Sequence, residues 1–132
     1  MEHNIFYDGN VEKFSWVIET GKQKAEQIRT HPPAYYSGYK LDIKNNDESK
    51  FVALHVAIYW GLGVFLIKNN DILTIMCDTK KMYDILTKKQ KTNNQIIDDK
   101  MGFIKQLTDL RNLDLNYKII NSDENFASKL LK

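Results

Sequence analysis

Asp71-Ile72-Leu73-Thr74-Ile75-Met76-Cys77-Asp78-Thr79 is the stretch that decides the fold class. The Asn69-Asn70-Asp71 turn introduces an apolar, β-branched run that predicts a strand over residues 71–77, with Asp78 at its C-terminal end. Downstream, Thr79–Lys89 predicts a helix with Met82, Ile85 and Leu86 on its apolar face, and residues 88–94 form a polar, basic link. A third helix is expected over about Ile97–Leu110, a fifth strand over Asn116–Ile120 and a closing helix over Asp123–Leu131. Upstream, Asn45-Asn46-Asp47 are N-cap residue types, and Ala53, Leu54, Ala57, Ile58 and Gly61 recur at helical spacing until Gly61-Leu62-Gly63. Before that helix the chain reads as strands. Asn4–Tyr7 ends in the turn signal Asp8-Gly9-Asn10, and Phe14–Glu19 ends at Thr20-Gly21, which together make a hairpin. Lys22–Pro33 reads as a polar, extended connector. Ala34–Ile43 reads as the third strand, with Gly38 as a bulge. The order is β-β-β-α-β-α-α-β-α. Three antiparallel strands followed by strand–helix alternation predict an α/β fold with a five-stranded mixed sheet flanked by helices.

With 132 residues the chain fits one domain, and 42% hydrophobic against 27% charged residues argues for a real core. The run from Val52 to Ile67 is too short and too interrupted to span a membrane. No basic region followed by an apolar stretch opens the chain, so no signal peptide is expected and an intracellular, cytoplasmic setting is. The one cysteine, Cys77, excludes an internal disulfide and a cysteine-based zinc site. A net charge of +2 advertises no global field for nucleic acid. Seventeen Lys against two Arg, with Lys, Asn and Ile filling about a third of the chain, indicates the codon usage of an AT-rich genome.

The element order is that of the ribonuclease H-like fold, and specific residues carry a resemblance to type 1 ribonuclease H. Ile5-Phe6-Tyr7-Asp8-Gly9-Asn10 resembles the family's first-strand motif, and Trp16-Val17-Ile18-Glu19 its second strand. Asn45-Asn46 precede the central helix as an asparagine pair often does in the family, with Ala53-Leu54 and Ala57-Ile58 at its small and apolar positions. Ile75-Met76-Cys77-Asp78-Thr79 is similar to the motif that ends the fourth strand, and Asn125-Phe126-Ala127-Ser128-Lys129-Leu130 to the terminal motif.

The resemblance implies cleavage of the RNA strand of an RNA/DNA hybrid by two metal ions, Mg²⁺ or Mn²⁺, held by four carboxylates. Asp8 matches the first acidic position and Asp78 the third. The second, three residues before the helix alanine, falls on Lys50, and the fourth on Ser128. Residue 50 shares the sheet-facing stripe of Ala53, Leu54 and Ala57, so its ammonium group would point at Asp8 and Asp78 in place of a metal. Asp47, or Glu48 with a shifted helix start, is the alternative second ligand.

Two functions follow as expectations. One is a degenerate relative that binds nucleic acid or a protein partner and needs no cofactor. The other is an active Mg²⁺- or Mn²⁺-dependent enzyme with a rearranged cluster. No membrane partner is expected. For nucleic acid, Lys80, Lys81, Lys88, Lys89 and Lys91 are the point charges for phosphate, Thr79 a hydroxyl donor, and Asn10, Asn45 and Asn46 further contacts to sugar or phosphate. His3, His31 and His55 read as structural, Cys77 as a small core residue, and Trp16, Tyr35, Tyr36 and Tyr39 as packing.

Overall fold

A computed structural model describes residues 1–31, 42–88 and 91–132. Its elements run β1 (Glu2–Gly9), β2 (Lys13–Thr20), β3 (Gln23–Thr30), α1 (Asn46–Gly63), β4 (Ile72–Cys77), α2 (Lys80–Lys88), α3 (Gln95–Arg111), β5 (Asp114–Ile119) and α4 (Phe126–Leu130), with a 3-10 turn at Ser122–Glu124 before α4. The sheet order is β3-β2-β1-β4-β5. β1 is antiparallel to β2 and β2 to β3, whereas β4 is parallel to both β1 and β5. This is the expected mixed sheet.

The third strand lies elsewhere than predicted. Residues 23–30 form β3, so most of the stretch read as a connector is strand. The predicted strand over 34–43 and its Gly38 bulge fall largely outside the described residues, and Asp42 and Ile43 are not in a strand. The reason is position. β3 is a sheet edge, most of its residues are exposed, and Gln23-Lys24-Ala25-Glu26-Gln27-Ile28-Arg29-Thr30 needs no apolar alternation there. Gly21, at φ +60, begins the two-residue turn that joins β2 to β3.

Alternation along β1 and β2 separates two cores. Ile5 and Tyr7 of β1 and Phe14, Trp16 and Ile18 of β2 face α1, meeting Phe51, Leu54, Ala57 and Ile58. Phe6, Val17 and Met76 face the other way, against Ile120 and Ala127. Each fully buried side chain of this size contributes about 1.5–3 kcal/mol. The predicted closing helix is broken by Asn125, whose side chain accepts from Ala127 N and caps the short α4. Among the described residues, no helix is long and apolar enough to cross a membrane.

Candidate functional site

Parallel pairing brings the C-terminal ends of β1 and β4 side by side, in the register Phe6 with Met76. Carried on by two residues, that register sets Asp8 against Asp78. In open α/β sheets ligands bind at such an edge. Gly9, next to Asp8, lets the start of α1 come down on it: a Cβ built there would lie 2.2 Å from Ser49 Oγ.

That approach delivers Lys50. Its Nζ lies 3.3 Å from Asp78 Oδ1 and 3.9 Å from Asp8 Oδ1, and all three side chains are largely buried. The other carboxylate oxygens are also engaged. Ser128 Oγ donates to Asp8 Oδ2 at 2.5 Å, and Asn125 Nδ2 donates to Asp78 Oδ2 at 3.0 Å and to Tyr7 O at 3.0 Å. Asn125 is fully buried, and its role was not legible beforehand; the one available signal was an Asn ahead of Phe-Ala, an N-cap arrangement. Cys77, beside Asp78, is a buried thiol that burial pushes up to about 11, so it is protonated and inert at neutral pH.

Asp47 and Glu48 are not brought to Asp8 and Asp78. Asp47 Oδ2 pairs with Lys81 Nζ at 2.6 Å. Glu48 is buried and tied to backbone and amide donors: Lys44 N at 2.8 Å on Oε1, Asn94 Nδ2 at 2.6 Å and Asn45 Nδ2 at 3.3 Å on Oε2. Asn45 in turn accepts from Glu48 N, a reciprocal cap at the start of α1. Glu48 therefore fastens the beginning of α1 to Asn94, the N-cap of α3.

A hard dication such as Mg²⁺ needs several oxygen ligands and net negative charge. Two carboxylates with an ammonium group between them do not fit that demand. Among the described residues no group of three or more His, Cys, Asp or Glu is placed to hold a metal ion.

The remaining predicted residues make other contacts or are exposed. Asn10 is spent on its own turn, accepting from Glu12 N and Lys13 N. Thr79 Oγ1 accepts from Met82 N at the start of α2. Asn46, Lys80 and Lys91 are exposed, and Lys88 is exposed beside Asp84 at 4.0 Å. Lys89 lies outside the described residues, as do Tyr35, Tyr36 and Tyr39. Each histidine has at least one side-chain contact, although among the described residues His31 Nδ1 is buried without a partner. His3 bridges Thr20 Oγ1 and Asp71 Oδ2, His31 contacts Ser49 Oγ at 2.7 Å, and His55 stacks on Phe103 beside Lys100.

No family model matches the sequence, and no curated protein does. Solved structures do. Ribonuclease H1 from the halophilic archaeon Halobacterium salinarum superposes with a TM-score of 0.73 at 16% identity, covering 99% of this chain and 94% of that one. The N-terminal ribonuclease H domain of a Mycobacterium tuberculosis protein gives 0.73 at 14% identity, covering 98% and 95%. A ribonuclease H1 designated LC11, solved with an RNA/DNA hybrid, gives 0.67 at 13% identity and covers 99% of both chains. Identity this low speaks to architecture alone, and the architecture agrees with the sheet order and helix placement above: the chain has the ribonuclease H-like fold.

Proposed function

We propose that this protein binds nucleic acid, an RNA/DNA hybrid foremost, across the edge where β1 and β4 end, and that it does not cleave it. The observation that carries the reading is the Lys50 ammonium group within 3.3 Å of Asp78 and 3.9 Å of Asp8. A tethered cation there opposes the entry of a divalent one, both by occupying space and by cancelling charge. Ser128 supports the same conclusion, because a hydroxyl donating to Asp8 adds no negative charge where a fourth ligand would stand. Binding is supported by the fold, by the hybrid complex of one structural neighbour, and by the exposed cations Lys80, Lys88 and Lys91 nearby in sequence to Asp78. As point charges on phosphate, these lysines give affinity that falls steeply with salt and depends little on sequence.

The test is incubation of a labelled RNA/DNA hybrid with Mg²⁺ and, separately, Mn²⁺, with Asp8→Asn as control and binding measured across a salt series. Retention of the hybrid at low salt with no cleavage above the control is the expected result. Cleavage that Asp8→Asn abolishes would overturn the non-catalytic reading. Absence of hybrid binding at any salt would overturn the binding one. Lys50→Glu combined with Ser128→Asp restores four acidic side chains and is expected to bring metal-dependent cleavage with it.

A further inference from the structure

Helix α1 ends in a turn that its sequence does not suit. Beyond Gly63 the chain reverses through Val64, Phe65 and Leu66, with Val64 N donating to Trp60 O, Phe65 N to Leu62 O and Leu66 N to Gly61 O. Phe65 takes the left-handed position of this reversal, at φ +63. Glycine is the usual occupant of such a helix end, and a bulky aromatic side chain there is a backbone outlier. Among the described residues, the other non-glycine residues with positive φ are Asn70 and Asn112, a type that tolerates it. Burial offers Phe65 no compensation, since it is 78% exposed and its neighbour Val64 is 49% exposed. A residue whose backbone conformation costs stability, and whose side chain recovers little of it by burial, points outward for its purpose.

What lies beside it gives the purpose a chemistry. Phe65 borders a groove of about 520 Å³ with Leu62 and Ile67 on its apolar side and Lys68 and Arg111 on its polar side. Among the described residues, no acidic residue lines it. Both cations are exposed, and among the described residues neither enters an ion pair. The rim is fixed, because Asn70 N donates to Arg111 O and Asn112 Nδ2 to Asn70 Oδ1 at 2.7 Å. We propose that this surface docks an acidic segment of a partner protein, with Phe65 as the apolar anchor and Lys68 and Arg111 meeting the partner's carboxylates. An aromatic anchor flanked on one side by two cations is complementary to apolar side chains set among Asp and Glu. The rise of α1 from Lys50, which meets Asp8 and Asp78, to Gly63 separates this end from that edge by about 20 Å, so a segment docked here leaves the other edge open.

The experiment uses the full chain and an array of short labelled peptides in which Leu or Phe is set among Asp and Glu, with Lys-substituted counterparts as controls. Acidic members of the array are expected to bind, and affinity should drop about tenfold or more in Phe65→Gly and in Arg111→Glu. Phe65→Gly is also expected to raise the melting temperature by a few degrees, because it relieves the backbone without emptying a core site. A merely structural Phe65 would move that temperature down. The proposal is overturned by a lowered melting temperature, by the absence of any acidic binder, or by binding that survives Phe65→Gly. Sedimentation showing a dimer that Phe65→Gly dissolves would overturn it in favour of a second copy of the chain. Competition by an RNA/DNA hybrid for the same surface would overturn it in favour of nucleic acid.

Discussion

Lys50 Nζ lies 3.3 Å from Asp78 Oδ1, a contact between the fifth residue of α1 and the residue just past the end of β4. With Asp8 at 3.9 Å, the lysine is the counter-charge that lets two largely buried carboxylates stand side by side. Removing it leaves their repulsion uncompensated. Lys50→Gln should therefore destabilise the fold by about 3 kcal/mol, read as a lower midpoint in urea. Millimolar Mn²⁺ or Mg²⁺ should recover part of the loss in the variant and leave the parent chain unchanged. An equal response of both chains to metal would show that Lys50 does not take the cation's place.

His55 gives the fold an acid limb. Burial, and then the positive charge of Lys100, hold its imidazole down at about 4, against an ordinary value of 6.5. The unfolded chain takes up the proton first, so this contribution is full above about pH 6.5 and is lost as pH falls toward 4. Thermal midpoints measured between pH 7 and 4 should fall, and His55→Gln should flatten that part of the profile. An unchanged slope would assign the acid sensitivity to other groups.

Glu48 is predicted to act on α3. Its carboxylate accepts from Asn94 Nδ2 at 2.6 Å, and among the described residues no cation pairs with it. Glu48→Ala takes the shared acceptor away from the Asn45 and Asn94 cap amides and should cost about 1–2 kcal/mol, with amide exchange quickening at the start of α3 as well as α1. Asn94→Ala should cost less, and the two losses should not add. Additive losses would mean the contact carries no coupling.

Gly9→Ala is expected to be poorly tolerated although the residue's backbone is unstrained. The added methyl meets Ser49 Oγ at 2.2 Å and Ser49 backbone carbon at 2.9 Å, so α1 itself has to move. A loss of about 2 kcal/mol in chemical denaturation is the expected outcome. Gly63→Ala, where nothing lies within 4 Å, is the control that should be nearly neutral.

What could be read from the sequence divides along physical lines. β4 was legible because a strand with paired neighbours on both sides must be apolar, and α1 because its buried stripe repeats every turn. Residue 50 lies on that stripe with Ala53, Leu54 and Ala57, which is why its side chain reaches the strand ends. β3 was not legible, because an edge strand is stabilised by one neighbour's backbone and leaves its side chains to solvent. Glu48 and Asn125 were opaque for another reason. Their partners, Asn94 and Asp78, are far away in the chain and come within reach only through the packing of whole elements. A capping residue type announces a helix end, but it does not say which distant group its second hydrogen bond will find.

Four consecutive side chains at the start of α1 reach four different places: Asp47 to Lys81 of α2, Glu48 to Asn94 before α3, Ser49 to His31 after β3, and Lys50 to the ends of β1 and β4. Helix ends ordinarily fray, and their amides exchange with solvent ahead of the helix middle. Here the contrast should be reduced, with the Glu48 and Ser49 amides of the opening turn exchanging more slowly than those at the Gly63 end of α1. A chain that loses this turn loses its grip on every layer together, so unfolding should have no stage in which the helix peels from one end while the sheet stays intact.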